Sequence, residues 1–238
     1  MEKTIQKICK EIVDEYREDR NVLGVALFGS AVRGKVDRYS DIDIYILLKE
    51  RGSYSRVNYE SDQIRVDVIL DTVRETEAFL KEDEHNVRRN TSHMLAHAKV
   101  LYQVGDHLSR TIDRAKVNLT LPTKSTEGEI LMHKYSIDDF WSEVQRDLDK
   151  GDHTAFGIDS QLLINNIVEL FLKLHGEFQR QPNEMNKTLS KLDAKFAGKI
   201  EGFYEANTIE ARKGILGELV NYIFEISHGS LPQKWTIE

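Results

Sequence analysis

A Gly-Ser pair and three aspartates are the residues of this sequence whose types and spacing can do chemistry. They are Gly29-Ser30, a ten-residue spacer, Asp41-Ile42-Asp43 and, further on, Asp67. A glycine closing an apolar run lets the chain turn sharply and lets backbone amides approach phosphate oxygens, and a serine hydroxyl beside it can donate to the same oxygens. Asp41 and Asp43 stand two apart, so in an extended segment their carboxylates project from one face. Paired carboxylates are hard oxygen ligands of the kind Mg²⁺ takes together with waters and substrate phosphates. A third carboxylate on a neighbouring strand can share a second ion or accept the proton of an attacking hydroxyl. The constellation is a candidate metal–phosphate site.

The surrounding pattern supplies elements to hold it. Residues 22–28 (Val-Leu-Gly-Val-Ala-Leu-Phe) form a short apolar run that stops at Gly29 and predicts a buried strand. Residues 31–40 are polar, contain Gly34 and Asp37, and predict a loop with room for one turn of helix after Ser30. Residues 41–48 are rich in β-branched side chains, with Ile42, Ile44 and Ile46 on the face opposite the two aspartates. A third strand is expected over residues 63–70, where Asp67 points away from Val66 and Val68. Ile5, Ile8, Cys9, Ile12, Val13 and Tyr16 keep helical spacing, which makes residues 4–16 an opening amphipathic helix with Cys9 as a small core residue. Helices are expected near residues 74–81, 92–99 and 106–117, with a short strand over 100–103.

From about Leu119 the strand signal ends, and residues 121–126 have the polar, proline-containing character of a linker. Beyond it Ile137, Phe140, Trp141, Val144 and Leu148 keep helical spacing up to Gly151, with Phe140 and Trp141 at core positions. Apolar residues cover nearly every side of 162–174, as in the central helix of a bundle, and Ile215, Leu219, Ile223 and Ile226 mark a later partner. Pro182 separates two further helices.

The order Gly29-Ser30, Arg33, Gly34, Ser40-Asp41-Ile42-Asp43 and Val66-Asp67-Val68, over roughly residues 20–71, resembles the signature of the DNA polymerase beta-like nucleotidyltransferase superfamily. More loosely, Phe140-Trp141, Lys150-Gly151-Asp152 and Lys187 after Pro182 are similar to the helical half of aminoglycoside and related small-molecule nucleotidyltransferases. The resemblance implies catalytic and metal-ligating roles for Asp41, Asp43 and Asp67 with two Mg²⁺ ions. It implies nucleotide binding by Gly29, Ser30, Arg33, Ser40 and Lys187, although Ser40 also suits a turn or cap. Asp67 is the favoured general base; Asp138, Asp139 and Glu143 are the acids of the helical half that could serve instead. Relatives often carry an aspartate where this chain has Gln103.

The expected fold is an α/β nucleotidyltransferase domain, a mixed sheet with flanking helices, over residues 1–118, and an all-α helical bundle over 126–238 that walls the acceptor side of the cleft. The expected activity is transfer of a nucleoside monophosphate, AMP from ATP, to a hydroxyl of a small molecule such as an antibiotic, with release of pyrophosphate. The competing readings are a protein adenylyltransferase of the antitoxin type and a non-catalytic nucleotide-binding regulator; intact Asp41, Asp43 and Asp67 count against the latter. A net charge of −7 over 238 residues counts against a long nucleic-acid partner. The most apolar stretch is interrupted by Asn165, Asn166, Glu169 and Lys173, so no membrane span is expected. The N-terminal residues lack a secretory pattern, and a cytoplasmic location is expected. A homodimer is compatible with the resemblance. His93 and His97 share a helix face without a third zinc-spaced ligand. Arg146 and His153 match a helical nuclease pair only if the helix between them runs through Gly151.

Overall fold

A computed structural model of the chain describes residues 2–32, 34, 37 and 39–236. The chain divides into two compact units, Met1–Leu121 and Pro122–Glu238. In the first, the described elements run α1 (Glu2–Tyr16), β1 (Val22–Phe28), α2 (Gly29–Val32), β2 (Ile42–Leu48), β3 (Arg56–Ser61), β4 (Ile64–Thr72), α3 (Val73–Asp83), α4 (Asn90–Leu95), β5 (Lys99–Gln103) and α5 (His107–Asn118). The strands form a mixed sheet in the order β3-β4-β2-β1-β5. β2 and β4 are parallel; the other neighbours are antiparallel.

Strand alternation splits the apolar residues between two cores. Ile42, Ile44, Ile46, Val66, Val68 and Leu70 join Ile8, Cys9 and Ile12 of α1 on one face. On the other, Phe28, Tyr45 and Leu47 pack with Leu80, Leu95, Leu108 and Ile112 from α3, α4 and α5. This second face carries Asp43 and Asp67 at one end, because they share the parity of Tyr45 and Ile69.

Two expectations are corrected. The helix expected over 92–99 spans Asn90–Leu95, and Lys99 already belongs to β5. Strand β3 has no counterpart in the sequence-based elements. It is an edge strand with mostly exposed side chains, so the apolar alternation that reveals a half-buried strand is missing. Its two-residue turn to β4 is Asp62-Gln63, both at positive φ (50° and 64°), where the usual glycine signal is absent.

The second unit contains α6 (Glu127–Lys150), α7 (His153–Leu174), α8 (Pro182–Leu192), α9 (Ala194–Glu205) and α10 (Ile209–Ile226). Gly151 at φ 69° terminates α6, and the Asp152 carboxylate caps α7 by accepting from Thr154 N and Ala155 N. That break disposes of a continuous helix between Arg146 and His153. α7 is long and apolar enough to cross a membrane by length and composition alone. Its Leu163, Ile164, Ile167, Leu170, Phe171 and Leu172 are instead buried within the unit, and Phe171 stacks on Phe196 of α9 with ring centroids 3.9 Å apart. Trp141 lies beside Gly217, where an added Cβ would meet the indole at 3.4 Å.

Candidate active site

The site is built where β1, β2 and β4 bring their residues to one end of the sheet. β1 ends at Phe28, directly opposite Asp43 on antiparallel β2. On the other side of β2, parallel β4 sets Asp67 opposite Asp43. Two carboxylates far apart in sequence therefore occupy adjacent positions on one face, and Asp41 stands two residues before Asp43, at the edge of β2. Parallel pairing is the decisive feature, since a shift of one residue in register would turn either side chain to the opposite core.

Gly29 is required here twice over. Its φ of 73° lies in the left-handed region, and a Cβ added to it would come within 1.9 Å of Asp43 Oδ2. The Asp43 carboxylate thus lies directly against the backbone of the turn. Beside it the Ser30 hydroxyl is buried and has no hydrogen-bond partner among the described residues. A buried polar atom without a partner is costly unless a ligand or water completes it. A hard-oxygen carboxylate set, an orphaned hydroxyl and a turn with no side chain together fit a cation-bound phosphate group.

Arg56 is the site residue that sequence reasoning misses. From edge strand β3 its Nε donates to Asp67 Oδ1 at 2.8 Å and its Nη2 donates to Oδ2. The guanidinium proton is held more tightly than usual, first by its hydrogen bond to Asp67 and the charge of that carboxylate, and further by the charges of Asp43 and Asp41. One cation thus lies within the field of all three aspartates. Asp67 is buried while the Arg56 side chain is 60% exposed, so the arginine reaches inward from the solvent side. No sequence signal marks it, because it is a lone basic residue on an unrecognised strand.

Of the other expected residues, Ser40 is engaged in a turn: its hydroxyl accepts from Asp37 N at 2.9 Å and donates to Asp37 Oδ1 at 3.2 Å. Arg33 lies outside the described residues. Lys187 is exposed on α8 in the second unit. The Gln103 side chain accepts from Ser109 N and from the Ser109 hydroxyl, a bond that joins β5 to α5.

Behind the aspartates, a second polar network fixes β4 to α3. Thr72 and Glu75 form a reciprocal capping box. Arg51 bonds to Glu75 and to the Leu70 carbonyl, and Tyr45 shares a 2.6 Å hydrogen bond with Thr76. Bonds from Arg51 and Thr72 hold the Glu75 carboxyl down at about 2, whereas burial pushes that of Asp71 up. These groups hold the strand whose Asp67 enters the site.

The model of the nucleotidyltransferase domain family matches residues 7–97, the segment that contains all three aspartates. A crystal structure of a nucleotidyltransferase-like protein from Exiguobacterium sibiricum 255-15 is similar with a TM-score of 0.54 at 12% identity, over 94% of this chain and 74% of that one. At that identity the likeness speaks to the fold. No curated protein matches the chain. With its aspartates on the matched segment, the chain carries a nucleotidyltransferase domain over residues 7–97.

Proposed function

We propose that the protein transfers a nucleoside monophosphate, AMP from ATP, to a hydroxyl of a small molecule and releases pyrophosphate. The observation that carries this reading is the in-register pairing of Asp43 with Asp67 on parallel strands, beside the Gly29-Ser30 turn. Asp41 and Asp43 would hold Mg²⁺, with Asp67 as a further ligand for a second ion. The metal supplies charge neutralisation on the triphosphate and on the departing pyrophosphate.

The protein's own groups bind and orient. Ser30 donates its unpartnered hydroxyl to a phosphate oxygen, and Gly29 leaves space for the phosphates to approach the backbone. Asp67 accepts the proton of the acceptor hydroxyl as its oxygen bonds to the α-phosphorus and the bond to pyrophosphate breaks. The two donors from Arg56 occupy one lone pair on each Asp67 oxygen, leaving one lone pair on each, so that one oxygen can face the second ion while the other receives that proton. Arg33 and Ser40 extend the proposed nucleotide-binding set.

Incubation with Mg²⁺, each α-labelled nucleoside triphosphate and a panel of hydroxyl compounds, or cell lysate, tests this. The expected result is label from ATP on a small molecule, abolished by Asp41→Asn/Asp43→Asn. Label on a protein band would replace the small-molecule acceptor with a protein, and Mg²⁺-independent transfer would overturn the metal role.

A further inference from the structure

The second unit holds a group of acids that the aspartate site of the first unit does not use. Glu143 and Asp147 stand one turn apart on α6, and the Gly151-Asp152 turn brings Asp159 of α7 back beside them. One carboxylate oxygen from each lies within 4.8 Å of the others. Asp147 is only 7% exposed, and its Oδ2 is buried with no hydrogen-bond partner among the described residues.

A buried carboxylate facing two more must be neutralised by a proton, an ammonium group or a metal ion. The Arg146 Nη1 donates to both oxygens of Glu143, at 2.7 and 2.8 Å. Three carboxylates and one guanidinium leave two negative charges, which a single divalent cation neutralises. Oxygens up to 4.8 Å apart can also share one hard cation, whose bonds to oxygen run about 2.3–2.6 Å for Ca²⁺.

We propose that Glu143, Asp147 and Asp159 bind one hard divalent cation, Ca²⁺ or Mg²⁺, and so clamp the α6–α7 hairpin. The site is made within the second unit alone and is independent of the reaction proposed for the first. Bound cation ties the end of α6 to the start of α7, so its effect is on the stability of that hairpin.

The test uses the full chain with Asp41→Asn/Asp43→Asn, which removes the carboxylates of the other proposed metal site. Calorimetric titration with Ca²⁺ and with Mg²⁺ is expected to show one saturable ion per chain, together with a rise in melting temperature of several degrees. Adding Asp147→Asn should weaken that affinity at least tenfold and abolish the rise. Glu143→Gln, at a part-exposed position, should weaken it too and serves should Asp147→Asn fail to fold. Absence of saturable uptake, or equal affinity with and without the acid substitutions, would overturn the site in favour of carboxyls sharing a proton. Saturable binding of spermidine with both metals silent would overturn it in favour of an ammonium ligand.

Discussion

At the scale of single residues, the Asp43 carboxylate lies directly against Gly29. Gly29→Ala adds an atom within 1.9 Å of Asp43 Oδ2 at a φ that L-residues disfavour. The variant should lose about a hundredfold or more in kcat/KM, roughly the cost of removing a group that acts in the transition state. Its stability should fall by about 1–2 kcal/mol of backbone strain, read as a lowered denaturant midpoint. Arg56→Gln should behave differently. It leaves the buried Asp67 carboxylate without its paired cation, so the variant should also lose stability, read as a lowered denaturant midpoint. With its cation removed from Asp67, affinity for Mn²⁺ without nucleotide should rise about tenfold, since one cation no longer competes with another. Calorimetry checks this, and unchanged affinity would show that Arg56 and the metal do not compete. Gly29, Ser30 and the aspartates are legible from sequence because their chemistry is tied to local spacing. Arg56 is not, since only strand pairing brings it to Asp67.

At the scale of elements, β1 is legible as a short continuous apolar run, and β2 and β4 because their β-branched residues alternate with the aspartates. Edge strand β3 has no such constraint. The Thr72–Glu75 box predicts a pH dependence with a definite sign. Glu75 is depressed to about 2 in the folded chain, so its contribution is complete above its ordinary value near 4.5. It is lost as pH falls from there through about 2. Denaturant titrations at several pH values should show stability declining across that window, with a shallower decline in Glu75→Gln; equal slopes would count against the role given to the network. Arg89 fixes another junction. It is 1% exposed and donates to the carbonyls of Asn86, Asn118 and Leu121, joining the α3–α4 segment to the end of α5. Arg89→Leu strands these buried acceptors and should cost about 3 kcal/mol or more, read as a lowered denaturant midpoint at unchanged slope.

At the scale of the whole molecule, composition separates the two units: strands and helices alternate in the first, and the described elements of the second are helices. The break near residue 121 follows from the loss of strand pattern and the entry of Pro122. Tertiary pairing across a helical hairpin is beyond such patterns. Glu143 and Asp147 are visible as a helical pair, whereas Asp159 joins them only after the Gly151 turn. A net charge of −7 predicts no retardation of long duplex DNA even at low salt, checked by electrophoretic mobility. The central claim is that the aspartate face of the first unit holds a cation-bound triphosphate. Binding of a non-hydrolysable ATP analogue, titrated with and without Mn²⁺ against wild type and Asp43→Asn, tests it most directly. Wild type should bind the analogue tightly only with Mn²⁺, and Asp43→Asn should weaken that binding by about a hundredfold. Equal binding with and without the cation, or in both proteins, would contradict it.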